Sequence, residues 1–395
     1  METKLSFMEE IDRLQVLDTH THLVGDRLCA RDFWEIAHYF WFNQEMQAAG
    51  YPKHAAEPPE EERIAAFLNA YHASRNTLMN WVVTQIFQEL YGIELKDERS
   101  VREADEAVQA SAARAGWAQQ VADKLRIEAF VTNIPEHAEF HGMKRSAILI
   151  PRIDGRLHPW VRSIHGQPDR VATFESVSAE IDELFGTFKR QGCPGMMTTL
   201  PRYEASANKV DGMTANASQD EILMAPLHVV CRMAEKHDLF VQFFLGVERS
   251  WCGTAVPAND TERILKLSGL FERYTCPFEL VVASELNNLD VVQAAWNFPN
   301  VSAGGLWWFN FRASTYRDVM QYRLEAIPAM KSSLIASDAR CIEWSFGKIK
   351  LVKRPLGEFL YERIQSGWID KEIALQVARN WLFDSAAQRY RFQES

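Results

Sequence analysis

Residues 15–23 read QVLDTHTHL, an apolar run that ends in Asp18-Thr19-His20-Thr21-His22. The run has the length of a buried strand. Side chains two apart on a strand point to the same face, so His20 and His22 can converge on one ion. Neutral imidazole nitrogens suit zinc and related divalent cations. An H-x-H pair by itself is equally well read as an accident of packing.

Working outward, seven more short apolar runs bounded by Gly, Pro or polar residues follow: 127–133 (IEAFVTN), 146–151 (SAILIP), 195–200 (GMMTTL), 239–245 (LFVQFFL), 278–284 (FELVVAS), 301–308 (VSAGGLWW) and 334–338 (LIASD). Helix-length stretches separate them, at 176–191, 226–237, 260–274, 290–297 and 315–327. This alternation predicts parallel strands with helical crossovers, and eight strands is the number that closes a barrel. A doubly wound open sheet would place a Gly-rich phosphate turn after the first strand, and there is none. The expected fold class is therefore α/β, a (β/α)8 TIM barrel forming one domain over residues 1–395. The interval after strand one is too long for a simple crossover, so a helical insertion is expected at 31–120. Its aromatic residues between Phe33 and Trp81 read as a local core or a lid surface, and the charged run 57–63 as a solvated loop and helix start.

In a closed barrel the last strand lies beside the first. Asp338, in Ser337-Asp338-Ala339-Arg340 after LIA, then approaches an ion held by His20 and His22, as a ligand or as a base beside it. The plainer reading is an Asp that caps the next helix.

The net charge of −10, without a Lys/Arg block, argues against nucleic acid as a partner. No run of eighteen apolar residues suggests a membrane span. The N-terminal METKLSFMEEIDRL lacks a signal-peptide core, so the cytoplasm is the expected location. Six scattered cysteines without a CxxC pair read as reduced packing residues.

The HxH and Asp pattern resembles the amidohydrolase superfamily, and further landmarks narrow the resemblance to its uronate (glucuronate) isomerase family. They are His38-Tyr39, Pro151-Arg152-Ile153-Asp154, Ala234-Glu235-Lys236-His237, Trp307-Trp308-Phe309 and Ser337-Asp338-Ala339-Arg340, in the family's order along nearly the whole chain. The resemblance implies an aldose–ketose isomerase that moves a proton between C2 and C1 of a sugar acid. It implies one divalent ion, expected to be zinc, on His20, His22 and Asp338. Asp338, Tyr39, His38 and Arg340 would be catalytic, and Arg152, Trp307, Trp308 and Arg340 would bind substrate. The expected partner is a small sugar acid; a homo-oligomer is left open. Each residue also has a plain reading: His38 as a packed imidazole, Arg152 as a surface partner of Asp154, Trp307 and Trp308 as core.

Two positions depart from the family. The strand-five histidine is absent from 242–245 (QFFL), and Ser284 stands where an arginine gripping the substrate carboxylate is expected. The second departure leaves the exact substrate open, because a serine cannot make a bidentate charged clamp. The same barrel also supports a mononuclear hydrolase or lyase, or a non-catalytic sugar-acid binder. No lysine occurs in 195–200 to bridge two metals.

Overall fold

The computed structural model describes residues 3–53, 59–135, 138–144, 146–210, 212–249, 255–257 and 260–393. Helix α1 (Lys4–Asp12) leads into β1 (Val16–Asp18). Between β1 and the next strand come α2 (Phe33–Ala37), α3 (Phe40–Ala48), α4 (Glu60–Ala73), α5 (Leu78–Ile86), α6 (Glu98–Ala112) and α7 (Trp117–Lys124). Their aromatic side chains pack on one another, with the Phe33 ring 5.0 Å from that of Phe67 and 5.2 Å from that of Phe87, inside the core that also holds β1, β2 and α14. The expected boundary at residue 120 falls inside α7, and part of the 57–63 run lies outside the described residues.

From there strands and helices alternate. The order is β2 (Ile127–Thr132), β3 (Ser146–Leu149), α8 (Asp154–Gly166), α9 (Arg170–Arg190), β4 (Gly195–Pro201), α10 (Gln219–His237), β5 (Phe240–Arg249), β6 (Ala255–Pro257), α11 (Ser268–Arg273), β7 (Phe278–Val282), α12 (Asn288–Asn297), β8 (Val301–Ala303), α13 (Ala313–Ala326), α14 (Ile342–Gln365), α15 (Lys371–Arg379) and α16 (Ser385–Arg389). Among the described residues one sheet runs β1-β2-β3 and a second runs β4-β5-β7-β8, with the short β6 added antiparallel to β5. Every other pairing is parallel. All residues of β4 and β7 are buried, as in a parallel sheet covered on both faces.

Backbone hydrogen bonds join the edges of the two sheets. Beyond β3, Met197 N–H donates to Pro151 O (2.9 Å) and Ile153 N–H donates to Met197 O (3.0 Å). Beyond β8, Ser333 N–H donates to Ala303 O (3.0 Å) and Leu306 N–H to Leu334 O (3.2 Å), while Thr19 N–H donates to Ile335 O (3.3 Å) on the β1 side. Residues 334–338, expected as the eighth strand, thus carry ladder bonds without forming a regular strand. The reason is local: Ser337 N–H donates to the Asp18 carboxylate instead of a neighbouring backbone, and Asp338 turns left-handed at φ +58°. Gly305 is required beside this segment, because a Cβ there would lie 2.6 Å from the Ala336 Cβ and the Ile335 carbonyl carbon.

Two expected helices are corrected. The one expected from Pro226 begins at Gln219, where Ser218 and Glu221 form a capping box, and Pro226 lies inside α10. The one expected at 260–274 reduces to α11 and a preceding 3₁₀ turn. There Asn287 Nδ2 donates to Asp260 O and Tyr203 OH to Arg263 O, engaging carbonyls at the start of the expected helix. Cys29, Cys193, Cys231, Cys276 and Cys341 are free thiols, and Cys252 lies outside the described residues. No helix among the described residues is long and apolar enough to cross a membrane.

Candidate active site

Beyond β1 the chain stays extended because its two threonines are tied to opposite neighbours. Thr19 Oγ1 donates to Ile335 O (2.5 Å), and Thr21 Oγ1 donates to Val131 O (2.8 Å). His20 and His22 therefore face the same way, as the spacing of two predicts. Their Nε2 atoms lie 3.3 and 3.0 Å from Asp338 Oδ1. One ligand atom from each of the three residues falls within 4.8 Å of the others.

Three groups with lone pairs, two imidazoles and one carboxylate, are a donor set that could hold a metal ion. The protonation states fit it. Burial depresses the His20 imidazole to about 4, against the opposing pull of Asp338, so it is neutral near pH 7. Burial alone would raise the Asp338 carboxyl, but His20 and His22 outweigh it and hold the group well below the usual carboxylate range. The buried His20 Nδ1 has no hydrogen-bond partner among the described residues, and its ring packs on Phe244 with centroids 4.5 Å apart.

The left-handed Asp338 costs about 1 kcal/mol in backbone strain, and a network of bonds holds it there. Its N–H donates to His20 O (2.9 Å), and its carbonyl accepts from Tyr39 OH (2.5 Å). Next door, Ser337 N–H donates to Asp18 Oδ1 (3.0 Å), and Ser345 Oγ donates to Asp18 Oδ2 (2.7 Å). His22 N–H donates to Ala339 O (2.7 Å).

The three ligands open into a cavity of about 800 Å³. Tyr39, Arg152, Trp307, Trp308, Asp338 and Arg340 all line it, as do Phe40, Trp41, Phe309, Phe311 and Arg312. Arg152 is held by two bonds to Asp154, from Nε (2.5 Å) and Nη2 (2.8 Å), and Thr199 Oγ1 donates to the same carboxylate. The Arg152–Asp154 pair expected on the surface is thus part-buried at the cavity wall. Arg340 is exposed to the cavity and has no ion-pair partner among the described residues. Trp308 adopts φ +53°, rare for a bulky residue, at the aromatic wall. His38 is set apart: it is not among the lining residues, its Nε2 lies 2.7 Å from Tyr51 OH, and its ring packs on Trp34. Of the expected site residues it alone does not line the cavity.

No family profile and no curated protein matches the chain in sequence. Several solved structures match over nearly its full length. A glucuronate isomerase from Caulobacter crescentus superposes with a TM-score of 0.80 at 14% identity, covering 99% of this chain and 94% of that one. A uronate isomerase from Thermotoga maritima gives 0.78 at 16%, covering 98% and 97%. One from Bacillus halodurans gives 0.75 at 16%, covering 100% and 98%. The fold is that of the uronate isomerases.

Within this uronate isomerase fold the two departures have physical consequences. Phe244 puts an apolar ring against His20 on the β5 side, and among the described residues no fourth His, Cys, Asp or Glu joins the cluster. Ser284 is buried, and the backbone of Gly246 (φ +95°) packs so closely on it that a Cβ there would stand 3.0 Å from Ser284 N. Arg312, by contrast, lines the cavity and is largely exposed, with Glu285 only at 4.0 Å.

One polar group at this site had no sequence signal. Lys348 of α14 is fully buried; its Nζ donates to Tyr39 OH (2.9 Å) and Ser337 O (2.5 Å), and burial lowers it to about 7 despite Asp338 and Asp18 nearby. In sequence it is one of three lysines in WSFGKIKLVK, a stretch that reads as an ordinary helix with solvated amines.

Proposed function

We propose that this protein is a metal-dependent aldose–ketose isomerase of a uronate or related sugar acid, built on a closed (β/α)8 barrel of one domain with the helices between β1 and β2 as its insertion. The observation that carries this reading is the convergence of His20, His22 and Asp338 at the mouth of a cavity lined by arginines, in a chain with the uronate isomerase fold. A single divalent ion, zinc by its donor set, would be held by these three residues and would polarise the oxygens at C1 and C2 of an open-chain sugar acid.

The chain's own groups supply the rest. Arg340, free of any internal partner among the described residues, and Arg312 at the wall offer charge-assisted bonds to the substrate carboxylate. Arg152 is fixed by Asp154 and presents its remaining N–H groups at a set angle. Burial, reinforced by Asp338, raises the Tyr39 phenol well above its ordinary range, so it remains a donor at neutral pH. Asp338, ionised at neutral pH, would accept the C2 proton and return it to C1. The aromatic side chains Trp307 and Trp308 shield the site from bulk water.

Metal analysis of the purified protein and a panel of uronates, neutral aldoses and modified uronic acids test this. One ion per chain is expected, lost in His20→Ala and His22→Ala. Turnover in deuterated water is expected to place deuterium on carbon. Solvent ¹⁸O in a new C–O bond of a cleaved product would replace the isomerase with a hydrolase on the same scaffold. Free glucuronate or galacturonate turned over at ~10⁴ M⁻¹s⁻¹ or above, ahead of every analogue, would show that Ser284 does not alter specificity.

A further inference from the structure

We infer that Lys348 is a positioning residue that holds Asp338 in its ligating conformation from behind, through Ser337 and Tyr39. The inference rests on the metal reading above and goes beyond it, since Lys348 touches neither the cavity nor the ligand atoms.

The geometry carries the argument. Lys348 Nζ is enclosed by aromatic rings, 4.1 Å from the Phe311 centroid, 4.8 Å from that of Tyr39 and 5.7 Å from that of Trp41. It has no carboxylate in salt-bridge contact among the described residues. An amine taken out of water without a counterion is costly to bury unless its hydrogens are bonded. Here both of its bonds go to the two groups that flank the left-handed residue. One fixes the carbonyl of Ser337, which precedes Asp338. The other fixes the hydroxyl of Tyr39, which in turn donates to the carbonyl of Asp338 itself. The peptides on either side of Asp338 are therefore pinned by one amine, and the carboxylate is left with its Oδ1 toward His20 and His22. Partners outside the ligand shell commonly set metal affinity by orienting the ligands they touch.

The same helix supplies an internal control. Lys353 is also buried, and its Nζ donates to the carbonyls of Asp12, Leu14 and Leu125, near the other end of β1. A merely structural buried lysine behaves like Lys353.

The experiment compares wild type, Lys348→Met, Tyr39→Phe, the double variant and Lys353→Met in metal-free form. It measures the dissociation constants for Zn²⁺ and Co²⁺, the visible absorption of the Co²⁺ protein, and the thermal midpoint without metal. Lys348→Met is expected to weaken metal binding about 10- to 100-fold and to change the Co²⁺ spectrum. Tyr39→Phe is expected to show a smaller loss in the same direction, and the double variant no more than Lys348→Met alone. Lys353→Met is expected to lower the thermal midpoint and leave metal affinity unchanged. Unchanged affinity and spectrum in Lys348→Met overturn the inference, as does an equal loss in Lys353→Met. If Lys348→Met does not fold, Tyr39→Phe decides: wild-type affinity and spectrum there overturn it. Wild-type protein that binds no metal would instead remove the metal reading on which the inference rests.

Discussion

The two ends of the parallel strands carry charged groups in opposite states. At the N-terminal end, Glu279 of β7 is fully buried and accepts from Gln242 Nε2 (2.8 Å), Ser333 Oγ (3.3 Å), Arg389 Nη1 (2.6 Å) and Tyr390 OH (2.5 Å). Lys353 nearby gives its hydrogens to three carbonyls. At the C-terminal end, Arg340 has no ion-pair partner among the described residues, His20 Nδ1 is unpaired, and Asp338 is strained and shared by two imidazoles. Groups whose bonds are complete can only stabilise; groups with bonding capacity left over are available to a ligand. The difference separates an end whose charges are bonded from an end with bonding capacity to spare, which is where the proposed site lies.

The largest effect expected from breaking this contrast is at the stabilising end. Arg389→Met leaves Glu279 as an uncompensated buried charge and should lower unfolding free energy by about 3–5 kcal/mol. Its metal affinity should stay within about twofold of wild type, because Arg389 bonds to Glu279 and to none of His20, His22 and Asp338. Denaturant melts and metal titrations on the same sample check both halves.

Asp338→Gly tests the other end. It removes a ligand while suiting the positive φ, so metal affinity should fall ~100-fold or more, about 3 kcal/mol, with the metal-free protein within about 1 kcal/mol of wild type. A loss of ~3 kcal/mol in the metal-free protein would mean that this end is as structural as the first.

Arg340→Met should lower kcat/KM for an anionic sugar acid by about 10- to 100-fold, the ~1.5–3 kcal/mol of one charge-assisted bond, and leave stability unchanged. An equal loss on a neutral aldose would remove Arg340 from carboxylate recognition.

The smallest effect near neutrality concerns Lys353, whose amine burial lowers from 10.5 to about 7. Between those values the unfolded chain holds the proton and the folded chain has released it, so stability rises with pH across the window. Lys353→Met should flatten that rise in melts taken from pH 7 to 10. Lys348, lowered in the same direction, keeps part of the slope in place.

Much of the binding end was legible from local pattern. Apolar runs with turn residues between them marked β2, β4, β5 and β7, and a spacing of two put His20 and His22 on one face. The LIASD run placed Asp338 next to them, because the last and first segments of this fold are neighbours. The same local rules missed whatever depends on which elements press together. Pro226 looked like a helix start until the capping box at Ser218 was seen to lie one helical stretch earlier. His38, beside Tyr39 in sequence, turned to Tyr51 because adjacent residues face different ways where α2 ends.

Residue type and period, then, determined by themselves that His20 and His22 converge, since a geometry that a few consecutive residues define puts both on one face. Tertiary structure alone decided how the carboxylate is held and which cations are free. Tyr39 meets Asp338 across 299 residues, and Lys348 meets Tyr39 across 309. Whether a lysine is solvated or buried depends on what packs over its helix. Over Lys348 those neighbours are Tyr39, Trp41 and Phe311, brought there from other parts of the chain. No spacing within WSFGKIKLVK encodes that burial.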